Sequence, residues 1–275
     1  MKMINDRPIG MFDSGFGGLT VARALIDMMP SENLVYIGDT GRYPYGNKSA
    51  DDVRNFALEI ANSLVHDFNV KMIVVACNTA ASVALKELQQ TLSVPVIGVI
   101  EPGVRALLRV TRNKKVGVIG TVGTISSGAY DQAITATKSQ VKLTSAACPG
   151  FVEFVERDQT TGDEVAALAE KLLAPVRDSG VDALLLGCTH YPYLSNVISE
   201  VMGLDVTLVN SADETAAAVG EALVASQTAR DTTANSLGAH EFYSSGDVKH
   251  FALLGRRFLG PELAAAKFWQ KSSGQ

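Results

Sequence analysis

Cysteine and clustered positive charge are both scarce in this 275-residue chain, and each scarcity excludes something. The three cysteines, Cys77, Cys148 and Cys188, are widely spaced and odd in number. A disulfide framework and a CxxC dithiol centre are thereby excluded, and free thiols in a reducing compartment are expected. Lysine and arginine form no block and the net charge is −5 at pH 7, so nucleic-acid or anionic-membrane binding has no electrostatic footprint. No apolar run approaches the roughly 20 residues of a bilayer-spanning helix. The N-terminal MKMINDRPIGMFDSG has no continuous apolar core of the signal-peptide kind. Cys188-Thr189-His190 is not a common zinc spacing and no close Cys/His pair completes it, so no metal is expected. These absences point to a cytoplasmic protein.

What is present is a series of short apolar runs, PIGMF at 8–12, NLVYIG at 33–38, KMIVVA at 71–76, VPVIGVI at 94–100, KVGVIG at 115–120, DALLLG at 182–187 and DVTLVN at 205–210. Segments of helical period alternate with them, which predicts parallel α/β architecture. In residues 51–68, Val53, Phe56, Ala57, Ile60, Leu64 and Phe68 share one helical face, and Asp51 or Asp52 supplies N-terminal charge or a cap. DETAAAVGEALVASQ at 213–227 reads as another helix, the polar run at 228–240 as a loop, and KSSGQ as a frayed end.

The chain also echoes itself. IGMFDSG at 9–15 resembles VGVIGTV at 116–122, VPVIGVI at 94–100 aligns roughly with LDVTLVN at 204–210, and Cys77 and Cys188 each close an apolar strand. A repeat this long is no solenoid period. It predicts two similar three-layer α/β lobes, lobe A from 1–98 plus 210–275 and lobe B from 99–209. The active site is then expected in the cleft between them, because ligands of open α/β sheets bind outside the strands' carboxyl ends.

One thiol per lobe suits proton transfer, since a thiol pKa of roughly 8.5 falls further near donors or a helix N-terminus. A thiolate on one face of a carbon and a thiol on the other would invert it by general acid–base catalysis. A single cysteine after VVA reads as a small buried hydrophobe. Two repeat-related ones followed by Asn78-Thr79 and Thr189-His190 read as functional, and Cys148, without an echo, reads as structural. In FDSGFGGLTVARAL the strand turns through glycines into a helix, an anion site that is neither a Walker loop nor GxGxxG. Asp13 there either serves a catalytic group or caps the helix, and Ser14 either contacts substrate or caps. DTGRYPYGNKS reads first as a turn, with the Tyr45 hydroxyl and Gly46 amide available to a carboxylate. Among the four histidines, His190 is the candidate proton-transfer partner, and His66 belongs to a solvated helix face.

DSGFGGLTV, YPYGNKS, ACNTAAS and LGCTHYP, in this order, resemble bacterial glutamate racemase, of the aspartate/glutamate racemase family. The resemblance runs from Ile9 to about Leu259. It implies an enzyme without pyridoxal phosphate or other cofactor that interconverts L- and D-glutamate, supplying D-glutamate for peptidoglycan and hence cell shape. It implies that Cys77 deprotonates D-glutamate and Cys188 L-glutamate, assisted by Asp13 and His190 respectively. Asp13, Ser14, Tyr45, Gly46, Asn78, Thr79, Thr189 and His190 match substrate-binding positions, and Thr121 is a further contact candidate. Glu156 matches a carboxylate near the second cysteine, with Glu153 as rival. A homodimer is implied; activation by a cell-wall precursor is put in doubt by the short segment before the first strand.

Two alternatives stay in view. A related two-cysteine enzyme would act on aspartate or another small acid, but such relatives tend to lack the histidine after the second Cys-Thr. A binding protein that kept only the two-lobe architecture is opposed by the intact cysteine pair.

Overall fold

Parallel strands covered on both faces by helices need apolar side chains in both directions, which is why their sequences are continuous rather than alternating. The computed structural model describes residues 5–230 and 237–270. In chain order these form β1 (Ile9–Asp13), α1 (Leu19–Met28), β2 (Leu34–Gly38), α2 (Ala50–His66), β3 (Met72–Val75), α3 (Asn78–Thr91) and β4 (Val96–Gly98). There follow α4 (Ile100–Val110), β5 (Lys115–Gly120), α5 (Val122–Ser126), α6 (Ala129–Ala136), β6 (Lys142–Ala147), α7 (Phe151–Glu156), α8 (Asp163–Arg177), β7 (Ala183–Gly187), α9 (Ser195–Met202) and β8 (Thr207–Val209). The chain ends with α10 (Ala212–Ala225), β9 (His240–Ser244), α11 (Val248–Leu259) and β10 (Lys267–Phe268). No helix among the described residues is long and apolar enough to cross a membrane.

Contacts divide the chain into two units, Met1–Val99 with Ala212–Gln275, and Ile100–Ser211. The first holds a parallel sheet in the order β10-β9-β2-β1-β3-β4, and the second a parallel sheet in the order β6-β5-β7-β8. Their shared part, β2-β1-β3-β4 and β6-β5-β7-β8, has one strand order and one register. Ile9 pairs with Leu34 and Met72, and Val116 pairs with Leu143 and Ala183. The register makes Ser14 the counterpart of Thr121, Asp39 of Cys148, and Cys77 of Cys188. The fourth strands align two residues away from the sequence reading, since Ile73 pairs with Val96 and Leu184 with Leu208.

Several local expectations need correction. Strands β6 and β9 carry no apolar run and were not legible: β6 lies at a sheet edge and is mostly half-buried, and β9 buries only Phe242 and Ser244. The 94–100 run is strand only over 96–98, and Ile100 already starts α4. Helix α2 is capped by Ser49, whose hydroxyl accepts from the Asp52 amide, while Asp51 and Asp52 supply the charge. On the shared face of α2, Val53, Ala57, Ile60 and Leu64 are buried and Phe56 is half-buried, as is Phe68 beyond its end. Part of the 228–240 loop (231–236) and the frayed-end reading of 271–275 lie outside the described residues.

The turn from β1 into α1 is tight. A Cβ on Gly18 would lie 2.6 Å from Asp13 Cβ, 2.8 Å from the Tyr36 hydroxyl and 3.0 Å from Ala76 Cβ. We therefore expect Gly18→Ala to destabilise the protein by about 1–3 kcal/mol, as overpacking does. Urea denaturation measures it, and an unchanged midpoint would mean that this turn has slack.

Candidate active site

Cys77 stands two residues beyond the end of β3 and is the N-cap of α3. Its thiol accepts from the Ala80 amide at 3.5 Å and lies 3.7 Å from Ser14 Oγ. Both contacts, with the positive end of a 14-residue helix, favour a thiolate. Burial and the nearby Asp13 charge outweigh them, and the thiol is pushed up to about 12. The lowering expected from the sequence is therefore reversed, and Cys77 holds its proton at neutral pH.

Asp13, the last residue of β1, is buried and accepts from the Gly15 amide at 2.9 Å. It closes the 14–18 turn that leads into α1. Ser14 is buried beside it, and Asn78 and Thr79 are buried in the first turn of α3. Tyr45 opens a 3-10 turn over Tyr45–Asn47 that packs against α3, and Gly46 within it is half-buried. The Tyr45 hydroxyl donates to Asp39, and burial together with the Asp39 charge holds that hydroxyl protonated, far above its ordinary range.

Cys188 stands at the matching position beyond β7, but a 3-10 turn over Tyr191–Leu194 follows it instead of a helix. The helix-terminus argument therefore applies to Cys77 alone. The Cys188 thiol lies 3.9 Å from His190 Nδ1, and His190 Nε2 lies 3.9 Å from Glu156 Oε1. Burial pushes the imidazole down to about 4, so it is neutral at physiological pH. Helix α7 ends at Glu156, which is the carboxylate placed near His190, whereas Glu153 lies in the helix's first turn. Thr189 is buried, and Thr121 caps α5 by accepting from the Thr124 amide at 3.2 Å.

In the first unit the structure brings together Asp13, Ser14 and Cys77, with the Tyr45 turn against the helix that Cys77 caps. In the second it brings together Cys188, His190 and Glu156. His66 and His250 are exposed. Cys148 is buried and its thiol pushed up to about 12 by burial alone, as suits a packing role. Its backbone, however, accepts the Tyr191 hydroxyl at 3.0 Å, and the Tyr191 ring stands edge-on to Phe151, the first residue of α7. Sequence reasoning missed this tether and also missed Asp39. The available signal for Asp39 was an acidic residue just past a strand, as at Asp13.

The sequence profile of the family described as Asp/Glu/Hydantoin racemase matches residues 19–219. The chain is 50% identical to a glutamate racemase of Acidothermus cellulolyticus over 93% of its own length and 96% of the relative's. The crystal structure of glutamate racemase isoform RacE1 from Bacillus anthracis superposes with a TM-score of 0.89 at 40% identity, covering 98% of each chain. That of the Francisella tularensis glutamate racemase in complex with D-glutamate gives 0.90 at 33% identity, covering 98% of this chain and 100% of the other.

The buried imidazole makes stability depend on pH with a definite sign. Unfolded, His190 takes up a proton near its ordinary 6.5, but folded only near 4, so its contribution is complete above the first value and lost as pH falls towards the second. We expect wild type to lose more stability than His190→Gln between those pH values, with the carboxylates common to both cancelling in the difference. Urea midpoints across that range measure it; parallel curves would mean that His190 is not held neutral.

Proposed function

We propose that this chain, which belongs to the Asp/Glu/Hydantoin racemase family, interconverts L- and D-glutamate by proton transfer at Cα. One observation carries the reading: the same position beyond the third strand of each sheet holds a buried thiol, in a chain half identical to a glutamate racemase over nearly all of both. The relatives' identity favours glutamate over aspartate as substrate. The crystallised Francisella tularensis relative carries D-glutamate.

In the proposed mechanism the Cys77 thiolate removes the Cα proton of D-glutamate, and the Cys188 thiol delivers a proton to the opposite face. The C–H electron pair stays on carbon during the first step and forms the new C–H bond in the second. The enzyme is left with Cys77 protonated and Cys188 as thiolate, and L-glutamate reacts in the reverse sense. Asp13 serves Cys77: a thiolate beside a carboxylate is scarce, but it is a stronger base for a weakly acidic proton. His190, neutral and placed between Cys188 and Glu156, serves Cys188 as a hydrogen-bonding partner that orients its thiol for transfer. Gly46, Asn78 and Thr79 on one unit, with Thr121 and Thr189 on the other, supply hydroxyl and amide donors to the substrate, while the Tyr45 hydroxyl, whose proton goes to Asp39, is left to accept from the substrate ammonium. Such fixed donors stabilise charge developing on the substrate carboxylate as the carbanion forms. Peptidoglycan precursor supply and cell shape, cytoplasmic location and a homodimer complete the proposal.

Pure, reduced protein is incubated with L-glutamate in D₂O without added cofactor, and optical rotation and α-deuterium are followed together. We expect inversion with deuterium in the product. Exchange with aspartate alone would change the substrate, and exchange with neither acid would overturn the enzyme reading unless a nucleotide-linked cell-wall precursor restored it. Cys77→Ala and Cys188→Ala should each reduce racemisation by about 10³-fold or more with the fold intact, because one base cannot be replaced by its partner. Cys148→Ala should keep near-normal turnover.

A further inference from the structure

We propose that Asp39 is a positioning residue for the turn that carries Tyr45 and Gly46, acting through a carboxylate buried at the end of β2. Asp39 is fully buried and joins three segments far apart in sequence. Its amide donates to the Asp13 carbonyl at 3.0 Å, fastening it beside the end of β1. Its Oδ2 accepts from the Tyr45 hydroxyl and from Arg42 Nε at 2.7 Å, and its Oδ1 accepts from Ser245 Oγ at 2.6 Å. The β9–α11 connection returns the tie, since Ser245 Oγ accepts from the Gly41 amide at 2.9 Å. Arg42 is fixed in turn by Glu59 at 3.0 Å and lies over the Phe56 ring at 4.3 Å.

A buried carboxylate is tolerated only where charge-assisted bonds satisfy it, and here these bonds converge on one short turn. Tyr45 packs on Phe56, and the turn lies against α3, the helix that Cys77 caps. Asp39 touches no reacting atom in this scheme. It sets where the Tyr45 hydroxyl and the Gly46 amide stand, and so acts on binding of the substrate ammonium and carboxylate, which both enantiomers share.

This inference rests on the glutamate reading for its kinetics, so the test includes a readout that does not. Asp39→Asn keeps the shape and removes the charge. Once wild type has been shown to racemise glutamate, we expect KM to rise about 10- to 100-fold in both directions with kcat within about three-fold, the pattern of lost uniform binding. Independently of turnover, alkylation of Cys77 by iodoacetamide, followed by mass spectrometry, should be faster in the variant by about ten-fold as the turn loosens. A lowered kcat at unchanged KM, or lower thermal stability with both KM and alkylation unchanged, would overturn the proposal. Should Asp39→Asn not fold, Ser245→Ala removes one of the same bonds at a residue with no substrate contact and should show a KM rise in the same direction; an unchanged KM there overturns it equally. If wild type does not turn glutamate over, the function proposed above fails, and Asp39 is judged by the alkylation rate alone, an unchanged rate overturning it.

Discussion

A parallel strand ends with carbonyls that no neighbour pairs, and the next helix begins with amides that lack intrahelical partners. In a sheet covered on both faces these groups are buried, so side chains at the carboxyl edge must satisfy them. That constraint organises both thiol sites. Asp13 takes the Gly15 amide, Cys77 takes the Ala80 amide, Thr121 takes the Thr124 amide, and the Cys148 carbonyl takes the Tyr191 hydroxyl. Asp13, Cys77 and Thr121, all proposed to act on substrate, thus also close strand ends. The burial of Asp13 and Cys77 follows from the architecture, and the perturbed acidity of Cys77 follows from its burial.

The two sheets meet this constraint with one topology and different chemistry. Cys77 has a helix N-terminus and a carboxylate, influences of opposite sign on a thiolate, and burial decides in favour of the protonated form. Cys188 has a neutral imidazole at 3.9 Å and no following helix. One thiol therefore faces fixed charge and backbone dipoles, and the other a neutral imidazole.

The parts legible in the sequence were those written in contiguous residues. Apolar runs gave seven of the strands, and Cys188 with His190 two positions on gave a contact that a short turn closes. Strands β6 and β9 were hidden because exposed or half-buried strands need no apolar run, and their membership is decided by pairing with β5 and β2. Glu156 was matched with Glu153 as rival, and the phase of a six-residue helix places Glu156 near His190. Asp39 was the least legible: one of its acceptor bonds is to Ser245, 206 residues away, and it looked like the first residue of an ordinary turn.

The register also shows why the helper groups differ. With Ile9 matched to Val116 and Met72 to Ala183, Asp13 corresponds to Gly120, Asn78 to Thr189, and Thr79 to His190. The carboxylate near the first thiol comes from a first strand whose counterpart has only a glycine. The imidazole beside the second comes from a position that in the first unit is a threonine. Enantiomers are mirror images, but two halves built from L-residues cannot be mirror images of each other, so a copied helper would not meet the substrate in mirrored geometry. Duplication could place a thiol at the same strand end twice. What surrounds each thiol had to diverge, and the divergence falls on the residues adjacent to the strand ends while strand order and register stay the same.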